Sequence, residues 1–177
     1  MKSVQRVPLR THKTQIAMSA SAIVSSSPAS ISWECVPLTD LSVMTLYDVI
    51  QLRANVFIVE QECIYLDLDG YDKTSLHVIG TLQQGDAKKI AAYARVLPPR
   101  TKGETQTRPM IGRVVIAPDA RGAGLARVLM EQAIAACSTR WPHQGIDIGA
   151  QAHLETFYTS LGFHTTSPAP YDEDGIP

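Results

Sequence analysis

The sequence predicts an α/β protein of the α+β kind, in which strands and helices follow one another within a single domain. Residues 77–82 and 89–97 are strand-like runs on either side of the turn sequence 84–86, which predicts an antiparallel hairpin. An apolar run at 110–116 leads through a glycine turn into a helical pattern that ends near Trp141. A further strand-then-helix pattern follows that helix. The chain of 177 residues is long enough for one core of ordinary size.

The elements before the hairpin are a strand and a helix. Residues 32–36 predict the first strand, and Thr39, Asp40 and Ser42 are candidate caps for the helix that follows. Apolar residues then recur at helical spacing: Leu46, Val49, Ile50, Val56 and Phe57. The Asp-rich stretch 67–75 predicts a loop.

The elements after the hairpin begin with a surface loop at 98–109, which holds three prolines and a glycine. The strand 110–116 is stopped by Pro118, and a long helix starts at Leu125. One face of that helix is expected to carry Leu125, Val128, Leu129, Gln132, Ala133 and Ala136. A short strand at 146–150 and a short helix at 151–158 complete the pattern.

Residues 1–32 differ in composition from the domain expected at 33–177. Four basic residues occur early, serines are dense at 19–32, and no acidic residue precedes Glu34. This composition is compatible with an organelle transit peptide. The alternatives are a disordered extension, or upstream sequence ahead of a start at Met18. We expect a cytoplasmic protein, or a mitochondrial or plastid protein if the extension is a transit peptide.

Charge and cysteine content exclude several classes of partner. The chain carries 16 basic and 17 acidic side chains, so no net field recruits nucleic acid or a membrane. The odd number of scattered cysteines (Cys35, Cys63 and Cys137) predicts reduced thiols rather than a disulfide framework or a metal site.

The most informative segment is the glycine turn Arg121-Gly122-Ala123-Gly124-Leu125-Ala126 at the start of the long helix. Backbone N–H groups at a helix start lack partners within the helix, and the helix dipole adds positive charge, so such a turn can bind a pyrophosphate. The segment is neither a Walker A loop nor a dinucleotide fingerprint. Its pattern, Arg-x-x-Gly-x-Ala, resembles the coenzyme A loop of the GNAT N-acetyltransferases. An ordinary strand-to-helix turn is the alternative.

Further motifs extend this resemblance over about 33–177. Tyr158 precedes Gly162 by four residues, which is similar to the Tyr-x-x-x-Gly-Phe element of the family. Segments 52–65, 67–72, 111–114, 149–153 and 171–177 resemble the ElaA-like branch of GNAT proteins. The resemblance implies the GNAT fold, which is a mixed, mostly antiparallel sheet splayed open at the coenzyme site, with helices on both faces.

The resemblance also implies acetyl-CoA as co-substrate and no metal. The backbone amides of the turn, from Gly122 through Ala123, Gly124 and Leu125 to Ala126, would hold the pyrophosphate, with added charge from Arg121. The pantetheine arm would pair, like a strand, with Val114, Val115 and Ile116. A solvated loop arginine and a buried strand are the plain alternatives.

For catalysis, the resemblance assigns Tyr158 to protonate the departing thiolate, with a core tyrosine as the alternative. Glu60 and His77 are the candidates to accept a proton from the amine, and the sequence leaves the choice open. Asp67, Asp69 and Asp72 could instead hold a cationic acceptor.

The expected function is direct acetyl transfer from acetyl-CoA to a primary amine of a small molecule or peptide, with a homodimer possible. The alternative is a coenzyme A-binding module without catalysis, acting as a sensor or scaffold. Related chains continue into a further strand beyond 174–177, so this chain is expected to lack its last strand and to expose an edge near 163–165. An incomplete gene model, an artificial end and a true short form are all compatible with that ending.

Overall fold

A computed structural model describes residues 30–85 and 87–166 of the protein. Its five strands form one sheet in the order β1 to β5: Ser30–Pro37, Leu76–Gln84, Ala87–Leu97, Met110–Ile116 and Asp147–Ile148. Its helices are α1 (Val43–Arg53), α2 (Leu125–Arg140) and α3 (Glu155–Thr159), and α1 continues as a π-helix over Ala54–Glu60. The expectations for residues 1–29, for 171–177 and for a last strand concern parts of the chain outside these described residues.

The sheet is mixed and mostly antiparallel, as predicted. Strands β1 to β4 pair with their neighbours in antiparallel fashion, and the predicted hairpin is the pair β2–β3. Strand β5 runs parallel to β4 and pairs with it only at Met110↔Asp147 and Ile111↔Ile148. The two strands then separate, because β5 ends there while β4 continues to Ile116. The sheet is therefore splayed between β4 and β5.

Helices cover both faces of this sheet. α1 and the π-helix pack on one face through Val49, Leu52, Val56 and Phe57, around Tyr93 of β3. α2 and α3 pack on the other face, where Leu129, Met130, Ala133, Cys137 and Tyr158 meet Ala92 and Ala94. Because β3 is covered on both sides, its residues 90–97 are all buried, and all of them except Arg95 are apolar.

Local signals explain where the helices begin. Of the three predicted cap candidates, Ser42 is the N-cap of α1, and its hydroxyl accepts a hydrogen bond from the Thr45 amide at 3.0 Å. None of the described helices has the length and apolar character needed to span a membrane. Cys35, Cys63 and Cys137 are free thiols, as predicted.

Two expectations about the C-terminal half need correction. The buried face of α2 is turned relative to the prediction, since Gln132 is exposed while Met130 and Cys137 are buried. Both faces have helical spacing, and only contact with the sheet decides between them. The short helix predicted at 151–158 is instead a 3-10 turn, Ala152–Leu154, followed by α3. It starts one residue later than predicted because the backbone of Gln151 is extended.

Candidate active site

A bulge in β4 shapes the edge of the sheet beside the splay. Tyr93 pairs with Val115 while Arg95 pairs with Gly112, so β4 has one more residue than β3 in this interval. Arg113 lies in the bulge with a positive φ of 52°, which is uncommon for a residue with a side chain.

The bulge also changes which side of the sheet each residue of β4 faces. Ile111 and Val114 pack against the α2 side, whereas Val115 packs against the α1 side. In a strand without a bulge, Ile111 and Val115 would share one face. Val114, Val115 and Ile116, the residues expected to meet the pantetheine arm, all follow the bulge.

The end of β4 directs backbone groups toward the side of the splay. The Ala117 amide donates to the Ala91 carbonyl at 2.8 Å, and Ile116 lies opposite Ala92. In an antiparallel pair, hydrogen-bonded and non-bonded positions alternate, so the N–H and C=O of Ile116 point away from β3. These groups face the gap that β5 does not fill, where the Ile116 carbonyl accepts a hydrogen bond from Nε of Arg121 at 3.4 Å.

A 3-10 turn at Pro118–Ala120 follows β4, and the glycine turn comes next. Gly122 and Gly124 have φ values of 83° and 75°, and a Cβ on either would meet no atom within 4 Å. The left-handed backbone, rather than crowding, therefore selects glycine at both positions. Gly124 is the N-cap of α2, with no side-chain cap and no acidic residue in the first turn. Among the residues that the structure describes, no side chain accepts a hydrogen bond from the amides at the start of α2.

Arg121 forms a bidentate ion pair with Glu60. The two guanidinium nitrogens lie 2.7 and 2.9 Å from the two carboxylate oxygens. The hydrogen bond from Arg121 lowers the pKa of Glu60. The pair joins the end of the π-helix to the glycine turn, so a predicted acceptor-side residue and a predicted coenzyme-side residue are in direct contact.

Tyr158 lies on α3 and is 8% exposed. Gly162, with a φ of 91°, ends α3 in a Schellman motif in which the Phe163 amide donates to the Tyr158 carbonyl at 3.2 Å. The Phe163 ring then packs edge-on against the Tyr158 ring, with centroids 6.1 Å apart. The Tyr-x-x-x-Gly-Phe spacing is therefore a helix stop that fixes the tyrosine. Burial raises the pKa of Tyr158, which keeps the phenol protonated.

α3 is placed beside the glycine turn by a contact with α2. Arg127, in the first turn of α2, donates to the Ser160 hydroxyl at 2.6 Å. Tyr158 also belongs to the apolar cluster against which Val114 and Ile116 pack. The predicted acid, the predicted pantetheine edge and the glycine turn thus occupy one region of the molecule.

His77 lies in the interior and not at an open surface. Its Nδ1 lies 2.8 Å from the Tyr93 hydroxyl and its Nε2 lies 3.0 Å from the Asp72 carbonyl. A carbonyl only accepts, so Nε2 carries the proton and Nδ1 accepts from the tyrosine. With 0% exposure and both nitrogens occupied, His77 is not positioned to take a proton from an amine. The prediction that it serves as the base has no support in this geometry.

The three aspartates of the loop form a closed ring of ion pairs with three arginines. Asp67 bridges Arg53 and Arg113, at 3.0 and 2.7 Å. Asp69 bridges Arg95 and Arg113, at 2.6 and 3.2 Å. Asp72 closes the ring by bridging Arg53 and Arg95, at 2.7 and 3.2 Å.

This ring decides the role of the aspartates. Burial alone would raise the pKa of Asp69 and of Asp72, but hydrogen bonds from Arg95 and Arg53 outweigh it and lower both. The carboxylates of all three aspartates are paired with arginines, so they are not free to hold a cationic acceptor. The sequence analysis did not predict the arginines as partners of the aspartates. The signals for them were that Arg95 and Arg113 interrupt apolar strands and that Arg53 lies on the buried side of α1.

Among the described residues, no group of three or more His, Cys, Asp or Glu side chains is arranged to hold a metal ion.

The splayed mixed sheet, with a glycine turn between β4 and the following helix, is the arrangement that the sequence predicts for an acyltransferase of the GNAT type. A family model described as acetyltransferase (GNAT) domain matches residues 80–177, and the chain belongs to this family as a GNAT-type N-acetyltransferase of the ElaA-like branch. It is similar to protein ElaA of Escherichia coli, with 39% identity over 150 residues, which cover 83% of this chain and 92% of that protein.

Solved structures agree with this assignment. The crystal structure of Escherichia coli ElaA matches with a TM-score of 0.72 and 38% identity, covering 83% of this chain and 95% of that one. The crystal structure of an acyl-CoA N-acyltransferase from Pseudomonas aeruginosa matches with a TM-score of 0.73 and 37% identity, covering 84% and 95%. The predicted GNAT fold is confirmed.

Proposed function

We propose that this protein transfers the acetyl group of acetyl-CoA directly to a primary amine of a small molecule or peptide. One observation carries the proposal: the edge of β4 beside the splay leads, through the 3-10 turn at Pro118–Ala120, into the uncapped glycine turn. Coenzyme A has the matching order of groups, because an amide-rich pantetheine arm is joined to a pyrophosphate. A single ligand of this kind fits both parts of the surface.

The pyrophosphate would bind at the start of α2. The amides from Gly122 to Ala126 offer donors that no side chain uses, and the dipole of the 16-residue helix favours an anion there. Arg121 is adjacent, and its present partner Glu60 is half-exposed. Exposed ion pairs are weak in water, so a pyrophosphate can replace the carboxylate as the partner of Arg121.

The thioester would lie at the end of β4. The free N–H of Ile116 points into the gap and is a candidate donor to the thioester oxygen as negative charge develops on it. The amine nitrogen attacks the thioester carbon, and the C–S bond breaks as the new C–N bond is completed. Tyr158 gives its phenolic proton to the departing thiolate and regains one from solvent.

The proton lost by the amine would go to Glu60, directly or through water. Glu60 becomes available only when Arg121 turns to the pyrophosphate, so coenzyme binding and base release are coupled. The interior position of His77 favours Glu60 of the two predicted candidates for the base.

The test is acetyl transfer measured as coenzyme A release over a panel of primary amines, with and without each amine. The expected result is amine-dependent release of coenzyme A together with formation of the acetylated amine. Thermal stabilisation by coenzyme A without turnover on any amine would contradict the proposal and favour the alternative, a coenzyme A-binding sensor or scaffold.

A further inference from the structure

We propose that Arg113 is a positioning residue for the coenzyme, which holds the β4 bulge in place and so fixes the edge that binds the pantetheine arm. This inference rests on the proposed function, because it assumes that coenzyme A binds along β4. It assigns a role in substrate binding to a member of the buried ion-pair ring.

The backbone at Arg113 does not hold this conformation by itself. A φ of 52° is unfavourable for arginine, and such conformations persist when the surrounding structure imposes them. The preceding residue, Gly112, would tolerate a positive φ at no steric cost, yet it does not adopt one. The contacts of the Arg113 side chain are therefore what keeps the bulge at this position.

Those contacts tie the bulge to the loop before β2. Nε lies 2.7 Å from Oδ1 of Asp67, and Nη2 lies 3.2 Å from Oδ2 of Asp69 and 3.3 Å from the Asp67 carbonyl. The guanidinium carbon also lies 4.8 Å from the centre of the Tyr65 ring, in a cation–π contact. Arg113 is the ring member on β4, and at 21% side-chain exposure it is nearer the surface than Arg53 and Arg95, each at 1%.

The bulge in turn decides how the next residues are presented. Val114 faces the α2 side and Val115 the α1 side only in the register that the bulge sets, and Ile116 then directs its N–H and C=O toward the splay. Loss of the bulge would shift the strand by one residue and turn these groups over. Arg113 thus acts through the backbone of the residues that follow it, without contact to the coenzyme itself.

The experiment uses two substitutions that separate the side chain from the backbone. Arg113→Ala removes the guanidinium and keeps the unfavourable φ, whereas Arg113→Gly removes the guanidinium but tolerates the bulge. Arg100→Gly is the matched control, because Arg100 is an exposed arginine with a φ of 66° in the loop between β3 and β4.

Calorimetry measures binding of two probes: coenzyme A, and 3′-phospho-ADP, which lacks the pantetheine arm. The expected result is a loss of coenzyme A affinity of about ten-fold or more in Arg113→Ala and a smaller loss in Arg113→Gly. Affinity for 3′-phospho-ADP should stay within about two-fold of wild type in both, and Arg100→Gly should match wild type with both probes. A purely structural role would not discriminate between the two probes.

Coenzyme A affinity equal to wild type in both variants would overturn the inference while leaving the proposed function standing. Equal losses for both probes would also overturn it, because the effect would then not be specific to the pantetheine edge. If wild type does not bind coenzyme A, the proposed function fails and the inference falls with it. Should Arg113→Ala not fold, Arg113→Lys replaces it, since lysine keeps the charge but lacks the forked contact to both aspartates.

Discussion

Arg121 donates two parallel hydrogen bonds to Glu60, at 2.7 and 2.9 Å, which join the glycine turn to the end of the π-helix. Their side chains are 41% and 43% exposed, so water competes for both partners. A pair of this kind can exchange one anion for another, and a pyrophosphate at the start of α2 carries more charge than a carboxylate. In the proposed mechanism, this contact links coenzyme binding to the state of Glu60, the proposed base.

Glu60→Gln should separate the two effects of this pair. Loss of the carboxylate frees Arg121, so the Kd for coenzyme A should fall by about two- to five-fold, since the gain is that of one exposed ion pair. Turnover should fall by roughly a hundred-fold, because the base is gone. Calorimetry and amine-dependent coenzyme A release measure the two quantities.

Glu62→Gln is the control for that prediction, because Glu62 is an exposed carboxylate two residues further on. It should leave both quantities unchanged. Unaltered turnover in Glu60→Gln would exclude Glu60 as the base, and unaltered affinity would show that Arg121 does not exchange Glu60 for the coenzyme.

Gly124→Glu should abolish detectable binding of acetyl-CoA. It would place a carboxylate where the pyrophosphate is expected, at the uncapped start of α2. Gly124 has a φ of 75°, so the substitution also strains the backbone. Gly124→Asn carries much less of that strain, because asparagine tolerates a left-handed backbone, and it adds no charge.

Comparison of these two variants by calorimetry isolates the charge. Gly124→Asn should retain measurable binding, and Gly85→Glu, at a φ of 60° in the β2–β3 turn, should bind as wild type does. Unchanged affinity in a folded Gly124→Glu protein would mean that the pyrophosphate binds elsewhere.

Tyr158→Phe keeps the ring but removes the proton donor. We expect turnover to fall by roughly ten-fold to a thousand-fold, with little change in the affinity for acetyl-CoA. The edge-on contacts of the ring with Phe157 and Phe163 remain, so the thermal midpoint should change little. Tyr47→Phe, on the exposed side of α1, is the control. Full activity of Tyr158→Phe would identify Tyr158 as a packing residue and assign the proton to water or another group.

Asp72→Ala should be one of the most destabilising single changes in the chain. Asp72 bridges two arginines that are 1% exposed, Arg53 and Arg95, and its removal leaves both charges without one partner. Breaking a buried ion pair in this way costs about 3–5 kcal/mol of unfolding free energy. Denaturant unfolding measures it, and Asp119→Ala, which removes an exposed partner of Lys89, should leave the transition unchanged. A small effect at Asp72 would mean that water replaces the carboxylate in the ring.

The sequence predicted the elements whose signals are local. Ser42 at the start of α1, the hairpin turn between β2 and β3, and Pro118 after β4 all act within a few residues, and the structure has each of them. The glycine turn was also legible, because its two left-handed positions are glycines.

The ion-pair ring and the bulge could not be predicted from the sequence, for two physical reasons. The ring joins Arg53, Arg95 and Arg113 to the loop that holds the three aspartates. These residues are 14 or more positions apart in sequence, so only the folded chain brings them into contact. The bulge places its positive φ on Arg113 although Gly112 is next to it, so the usual glycine signal points to the wrong residue. The interior role of His77 could not be predicted either, because strand pairing brings Tyr93 to it and the folding of the loop brings Asp72.

His77 should make the stability of the protein fall as the pH falls below about 6.5. Burial lowers the pKa of His77 below its ordinary 6.5, and the charges of Arg53 and Arg95 act in the same direction, against the opposing effect of Asp72. Below pH 6.5 the unfolded chain therefore binds a proton that the folded chain does not, so the free energy of unfolding falls as the pH falls. Burial would raise the pKa values of Asp69 and Asp72, but hydrogen bonds from Arg95 and Arg53 hold them below the ordinary range of a carboxyl, so neither group adds to this pH dependence.

The measurement is denaturant unfolding at several pH values from 5 to 8, on wild type and on His77→Gln. Glutamine offers an N–H for the Asp72 carbonyl and an acceptor for the Tyr93 hydroxyl, so it can occupy the site without titrating. Wild type should lose up to about 1.4 kcal/mol per pH unit below 6.5, the value for one proton, and stay level between 7 and 8. The variant should lack that slope even if it is less stable at every pH. Equal slopes in the two proteins would show that His77 takes up its proton in the folded state as readily as in the unfolded chain, against its two hydrogen bonds in the interior.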